Sequence, residues 1–220
     1  MTLATPPILG PETLPEAPTL ALPWDLRLTP EQFAVVCAAN PDAVLELAAD
    51  GRLIPMTPTG GDTGARNNAL LFQLNLALQG LPPCFQVFDS STGFQLPDGA
   101  VVSPDAALVR LERWQALAPE QRRGFPPLCP DLVMELASES DAGPRGLEAL
   151  RQKMDLYLRH GAQIGWLVLP QALQVEVWQA GKGDSVLLRQ PASLAGSALH
   201  PDLVVNLEPF WTLCDHAQHG

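Results

Sequence analysis

Cationic side chains are scarce in this chain. Its 220 residues hold 13 Lys and Arg against 24 Asp and Glu, a formal net charge of −11. A protein that coats nucleic acid indiscriminately needs basic surface, so that class is excluded, although a local basic cleft is not. Charge of either sign is sparse. A charged fraction of 17% beside 46% apolar residues argues against disorder over most of the chain and for a real core. Nowhere do about 18 apolar residues run together, so no membrane span is expected. The first residues have neither the basic nor the apolar stretch of a secretory leader. Cys37, Cys84, Cys129 and Cys214 form no CxxC pair, which removes zinc ribbons and thioredoxin-type redox motifs. Their small number does not make a disulfide scaffold. Mostly buried thiols in a reducing cytoplasm are the expectation. A Gly-x-Ser-x-Gly elbow and a Gly-Lys-Ser/Thr phosphate loop are both missing, and the four histidines show no ligand spacing.

Proline, by contrast, is plentiful at 23 residues. Long uninterrupted helices should therefore be rare. Six prolines fall in residues 1–23, which read as an extended N-terminal arm. A domain is expected over 24–214, with 215–220 as a tail. Thr29-Pro30-Glu31-Gln32 has the form of a capping box and should start a helix. Strands over 43–47 and 52–56 flank Asp50-Gly51, a favoured hairpin turn. The Gly-rich segment 57–64 reads as a tight turn, with phosphate contact as its alternative. It leads into a helix striped by Leu70, Leu71, Leu74 and Leu78 and stopped by Gly80. Short strands follow over 85–88, 93–96, 100–102 and 105–110, then a connection with a short helix near Trp114. Residues 132–137 form an apolar strand. A helix over 144–160, a strand over 164–169, a hairpin over 175–188 and a last strand and helix over 203–214 complete an α/β or α+β pattern.

The informative feature is acid inside apolar strands. Asp105 shares a strand face with Ala107 and Val109, and Glu135 shares one with Val133 and Ala137. Such carboxylates are costly to desolvate unless paired or bound to metal. Two of them on neighbouring strands would repel. A magnesium or manganese ion between them removes the penalty, because these ions take carboxylate oxygens. The alternative is a solvated strand end or a basic partner for each acid. Lys153 lies roughly 40° outside the apolar arc of its helix by 100° per residue, so its ammonium could reach over the sheet toward Glu135. An ordinary boundary lysine is the alternative. Glu46, in Val44-Leu45-Glu46-Leu47, is a third candidate acid; from the residues alone the exposed hairpin position is the safer reading. Arg66 and Asn67 follow the Gly-rich turn and are candidate nucleic-acid contacts. Pro201–Asn206 echoes Pro130–Glu135 with Asn in place of the acid, and reads as a decoy.

Taken together, Leu-Glu-Leu-Ala-Ala-Asp-Gly-Arg-Leu (45–53), Met-Thr-Pro-Thr-Gly-Gly-Asp-Thr-Gly-Ala-Arg-Asn (56–67), Asp-Ser-Ser-Thr-Gly-Phe (89–94), Ser-Pro-Asp-Ala (103–106), Cys-Pro-Asp-Leu-Val-Met-Glu-Leu (129–136) and Lys-Met-Asp-Leu-Tyr-Leu (153–158) resemble the Uma-type "putative restriction endonucleases" over residues 25–212. That family is similar in fold to PD-(D/E)XK nucleases. The resemblance implies an α/β domain with a restriction-endonuclease-like mixed β-sheet flanked by helices, with added N-terminal and C-terminal β-hairpins. It implies that Asp105 and Glu135 are the metal-holding acids of Mg²⁺- or Mn²⁺-dependent DNA hydrolysis. The usual lysine two residues after the second acid is replaced by Ala137, and the resemblance moves its role to Lys153. Glu46 matches an N-terminal acid of the family, as ligand or support. Homodimers are implied too. The contrasting expectation, favoured by Ala137 and the acidic balance, is a catalytically inactive binding or assembly module that kept the fold.

Overall fold

The computed structural model describes residues 23, 25–56, 58–141 and 143–218, with side chains of the last helix as far as Cys214. The arm expected over 1–23 therefore lies, Pro23 apart, outside the described residues. Among the described residues the first element is α1 (Pro30–Ala39), opened by the expected capping box: Thr29 Oγ1 accepts from the Gln32 N–H, and the Gln32 side chain accepts from the Thr29 N–H. A hairpin of β1 (Val44–Leu47) and β2 (Leu53–Met56) follows, with Leu47 opposite Leu53. Gly51 closes it at φ +81°, and a β-carbon there would stand 2.7 Å from the Leu28 carbonyl oxygen. Helix α2 (Gly61–Gln79) comes next. Strands β3 (Phe85–Asp89), β4 (Phe94–Gln95), β5 (Val101–Val102) and β6 (Ala106–Arg110) lead to α3 (Leu111–Ala116) and α4 (Pro119–Arg123). Then come β7 (Leu132–Leu136), a 3₁₀ turn over Glu139–Asp141, α5 (Pro144–Arg159) and β8 (Ile164–Leu169). The hairpin β9 (Gln174–Gln179) and β10 (Val186–Arg189), the short pair β11 (Ser193–Ala195) and β12 (Val204–Asn206), and α6 (Glu208–Gln218) complete the chain.

Six strands form a mixed sheet in the order β10-β9-β8-β7-β6-β3. Every pairing in it is antiparallel except β7 with β8. A parallel pair needs a crossover, and α5 supplies it. A second sheet runs β2-β1-β5-β4, and β11-β12 stands apart. The period-two alternation of β7 decides what covers each face. Leu132, Met134 and Leu136 pack with Leu70 and Leu74 of α2 and Phe210 and Trp211 of α6. Val133 and Ala137 point the other way, onto Met154 and Tyr157 of α5. Gly165 on β8 sits beneath α5, where a β-carbon would run into the Met154 methyl.

The expected α/β class, flanked mixed sheet and terminal hairpins are all present. The expectation of few long helices fails: α2 has 19 residues and α5 has 16. Pro30, Pro119 and Pro144 occupy the first helical position, where a missing N–H costs nothing, rather than helix interiors. The Gly-rich turn is also shorter than expected, because α2 already begins at Gly61. The 201–206 echo forms β12, outside the main sheet, and Asn206 Oδ1 accepts from the Glu208 N–H to cap α6.

Candidate active site

Asp105 and Glu135 come together because β6 and β7 are neighbours. Asp105 stands immediately before β6, whose Ala106 pairs with Met134 of β7. Its Oδ2 accepts the Leu136 N–H at 2.7 Å, and its Oδ1 accepts from Asn67 Nδ2 at 3.0 Å. Both carboxylate oxygens are thus held, one from β7 and one from α2. Each keeps one lone pair. Glu135 is buried on the α5 side of the sheet, and its Oε1 accepts from Tyr157 Oη at 3.0 Å and from Lys153 Nζ at 3.0 Å.

Lys153 does reach across to Glu135, but it is no boundary lysine. Its ammonium is enclosed and spends its three donors on Glu46 Oε1 at 2.9 Å, Ser103 O at 3.0 Å and Glu135 Oε1 at 3.0 Å. Ala137 is buried against the α5 cluster. Glu46 corrects the exposed-hairpin reading. It is 5% exposed, salt-bridged to Lys153, and accepts the Ser103 N–H at 2.8 Å. Strand alternation turns it away from Leu47, and on that face the Lys153 ammonium and the Ser103 N–H meet it.

Arg66 and Asn67, the candidate nucleic-acid contacts, sit on the second turn of α2. Arg66 is 8% exposed, its side chain largely covered by the fold. Asn67 turns inward to Asp105. Tyr157 is not among the site residues that the sequence singles out. The overlooked signal is its spacing of four from Lys153, which stacks two polar tips on one helix face. Asp131, in the same segment as Glu135, lies elsewhere. It is buried and ion-paired to Arg113 at 2.8 Å, and it accepts the Arg110 N–H at 2.8 Å, tying β6 to β7.

Electrostatics follow from this enclosure. Burial pushes the Glu135 carboxyl up to about 8; the Lys153 charge opposes the shift, while Asp105 and Glu46 add to it. Burial likewise raises Asp105, against the Leu136 N–H, Lys153 and Asn67, which all favour its charged form. For Lys153, burial alone favours the neutral amine, but the charges of Glu135 and Glu46 outweigh it and hold the ammonium above its ordinary range. Tyr157 is raised by burial and by the same two acids, so its hydroxyl stays protonated and donating.

These residues line an open cleft of about 890 Å³ between the β1–β2 hairpin, the start of α2 and α5. Its walls carry Glu46, Asp62, Asp105, Glu135, Glu139 and Asp141, against Lys153 and Arg159 as bases. Among the described residues no group of three or more His, Cys, Asp and Glu stands in ligand geometry. Glu46 and Glu135 each accept from Lys153 through Oε1; Asp105 and Glu135, carried by adjoining strands, form the expected pair. That donor set suits a hard divalent ion: all oxygen, with free lone pairs on Asp105 and no described donor on Glu135 Oε2. With all three carboxylates ionised against one ammonium, two negative charges would remain; burial opposes that state by raising Glu135 and Asp105, and one such ion would cancel it.

A mixed sheet with paired acids at adjoining strands and a lysine on the crossing helix is a nuclease-like α/β arrangement. The same fold occurs in the crystal structure of a putative nuclease belonging to DUF820 from Anabaena variabilis, with a TM-score of 0.66 and 17% identity over 85% of this chain and 99% of that one. A family model described as "Uma2: Putative restriction endonuclease" matches residues 30–210, and the chain belongs to that family. No curated protein matches. Among the described residues no helix is long and apolar enough to cross a membrane.

Proposed function

We propose that this protein is a Mg²⁺- or Mn²⁺-dependent endonuclease hydrolysing DNA phosphodiester bonds, with Asp105 and Glu135 as the metal ligands. The observation that carries the reading is the convergence of Asp105, Glu135 and Lys153 on one open cleft. When bound, the ion supplies Lewis acidity toward a phosphate and a water of lowered pKa. The chain's own residues do the rest. Leu136 N–H and Asn67 fix the Asp105 carboxylate. Tyr157 and Lys153 both donate to Glu135 Oε1 and leave Oε2 for the cleft. Glu46 and the Ser103 carbonyl anchor the Lys153 ammonium. The N–H that Lys153 spends on Glu135 is the one it can give to a phosphate oxygen once Glu135 takes another partner, where it would balance developing negative charge. Purified protein with Mn²⁺ should nick supercoiled plasmid, and Asp105→Ala should reduce nicking to background. Equal nicking by the variant would remove Asp105 from the site.

A catalytically inactive binding module is the second reading, and two observations favour it. Lys153 has no uncommitted donor, and acids outnumber bases on the cleft walls. Plasmid that stays intact at high protein and Mn²⁺ concentration would decide for it.

The proposal extends to a single domain over 24–214, supported by the family match over 30–210. It extends also to a homodimer acting in the cytoplasm. Val186 and Leu187 support the dimer: they are exposed on β10, the outer strand of the six-stranded sheet. Light scattering should give twice the chain mass; a monomer at tens of micromolar would end that part.

A further inference from the structure

Asn67 is the one residue from the presumed DNA contacts that reaches the acid pair, and its amide is only half satisfied. Nδ2 donates to Asp105 Oδ1 at 3.0 Å, while Oδ1 is buried without a described donor. Reversing the amide does not help, because it would set Oδ1 against a carboxylate oxygen. The partners lie 38 residues apart in sequence, so no local turn geometry imposes the contact. Buried polar atoms are nearly always paired, and an unpaired acceptor is a standing cost to the fold. An apolar side chain of the same shape would avoid that cost but would strip Asp105 Oδ1 of its donor. The amide spends its one described bond on the carboxylate, which points to a role there.

The geometry of Asp105 shows what that role is. Its Oδ2 is held by the Leu136 N–H from the β7 side alone, and one bond leaves the carboxylate free to rotate about it. The second bond, from α2, fixes the plane and so fixes where the two remaining lone pairs point. The helix that supplies Asn67 also contributes Gly61, Asp62 and Thr63 to the cleft wall. The amide thus joins one wall of the cleft to the acid at its base.

We infer that Asn67 is a positioning residue for a divalent cation: it orients Asp105 for ligation. The inference rests on the proposed cation site at Asp105 and Glu135, and the test separates the two. Mn²⁺ binding to the full chain is measured by isothermal titration calorimetry, with thermal melts in metal-free buffer alongside. Four proteins are compared: native, Asp105→Asn, Asn67→Leu and Asn67→Ala, the last covering the case in which leucine does not fit. The native protein should bind, and Asp105→Asn should not. Loss of an outer partner of a metal ligand weakens binding by roughly ten- to a hundredfold, and that loss is expected for at least one Asn67 variant whose metal-free melting temperature stays close to native. Native affinity in both Asn67 variants would overturn the inference and leave the cation site standing. Melting temperatures that fall in both variants together with affinity would mark Asn67 as structural and overturn it as well. Absence of Mn²⁺ binding by the native protein would remove the cation site and this inference with it.

Discussion

Lys153 shows how much one side chain can carry here. Its ammonium is the sole cation within reach of Glu46 and Glu135 among the salt bridges of the described residues. Its side chain is 15% exposed, against 7% and 5% for the two acids. Removing one member of a buried ion pair strands the charge that remains, at a cost of about 3–5 kcal/mol. Lys153→Met should therefore lose stability on that scale in urea unfolding, whatever happens to activity. An unchanged unfolding midpoint would mean that the acids are solvated. The residue types at the site were legible early: acids in apolar strands are conspicuous because burial penalises them. The direction of Asn67 and the burial of Glu46 were not legible, since each depends on a partner tens of residues away. Asn67 and an exposed asparagine look identical in sequence.

At the scale of elements, local signals worked where the physics is local. The Thr29–Gln32 capping box, the Asp50-Gly51 turn and the leucine stripe of α2 all lie within a few residues of their partners. Proline was misjudged because its count says nothing of its position, and at a helix start it is harmless. The β1–β2 hairpin deserves a test because it carries Glu46 to the cleft. Gly51 adopts φ +81°, and a side chain there meets the Leu28 carbonyl oxygen at 2.7 Å. Gly51→Ala should cost about 1–3 kcal/mol through backbone strain and this clash, read as a lower melting temperature. A melting temperature equal to that of the native protein would show that the hairpin relaxes freely.

For the whole molecule, net charge and site charge have the same sign. A chain of −11 with an acid-lined cleft repels nucleic acid at long range unless cations intervene. Retention of DNA in a gel-shift experiment should therefore be stronger in Ca²⁺, which takes oxygen ligands, than in EDTA. Asp105→Asn should narrow the difference. Equal retention with and without the ion would show that DNA is held away from the acids.

The sequence by itself determined an α/β or α+β pattern, because apolar strands, striped helices and misplaced acids are signals between near neighbours in the chain; the nuclease-type class came from the resemblance of six ordered segments. Tertiary structure alone decided the state of the site. Pairing β6 with β7 and laying α5 across them joined Glu46, Ser103, Glu135 and Lys153 into one buried network. Electrostatic interaction in a poorly solvated interior depends on distance through space, and no spacing along the chain encodes it.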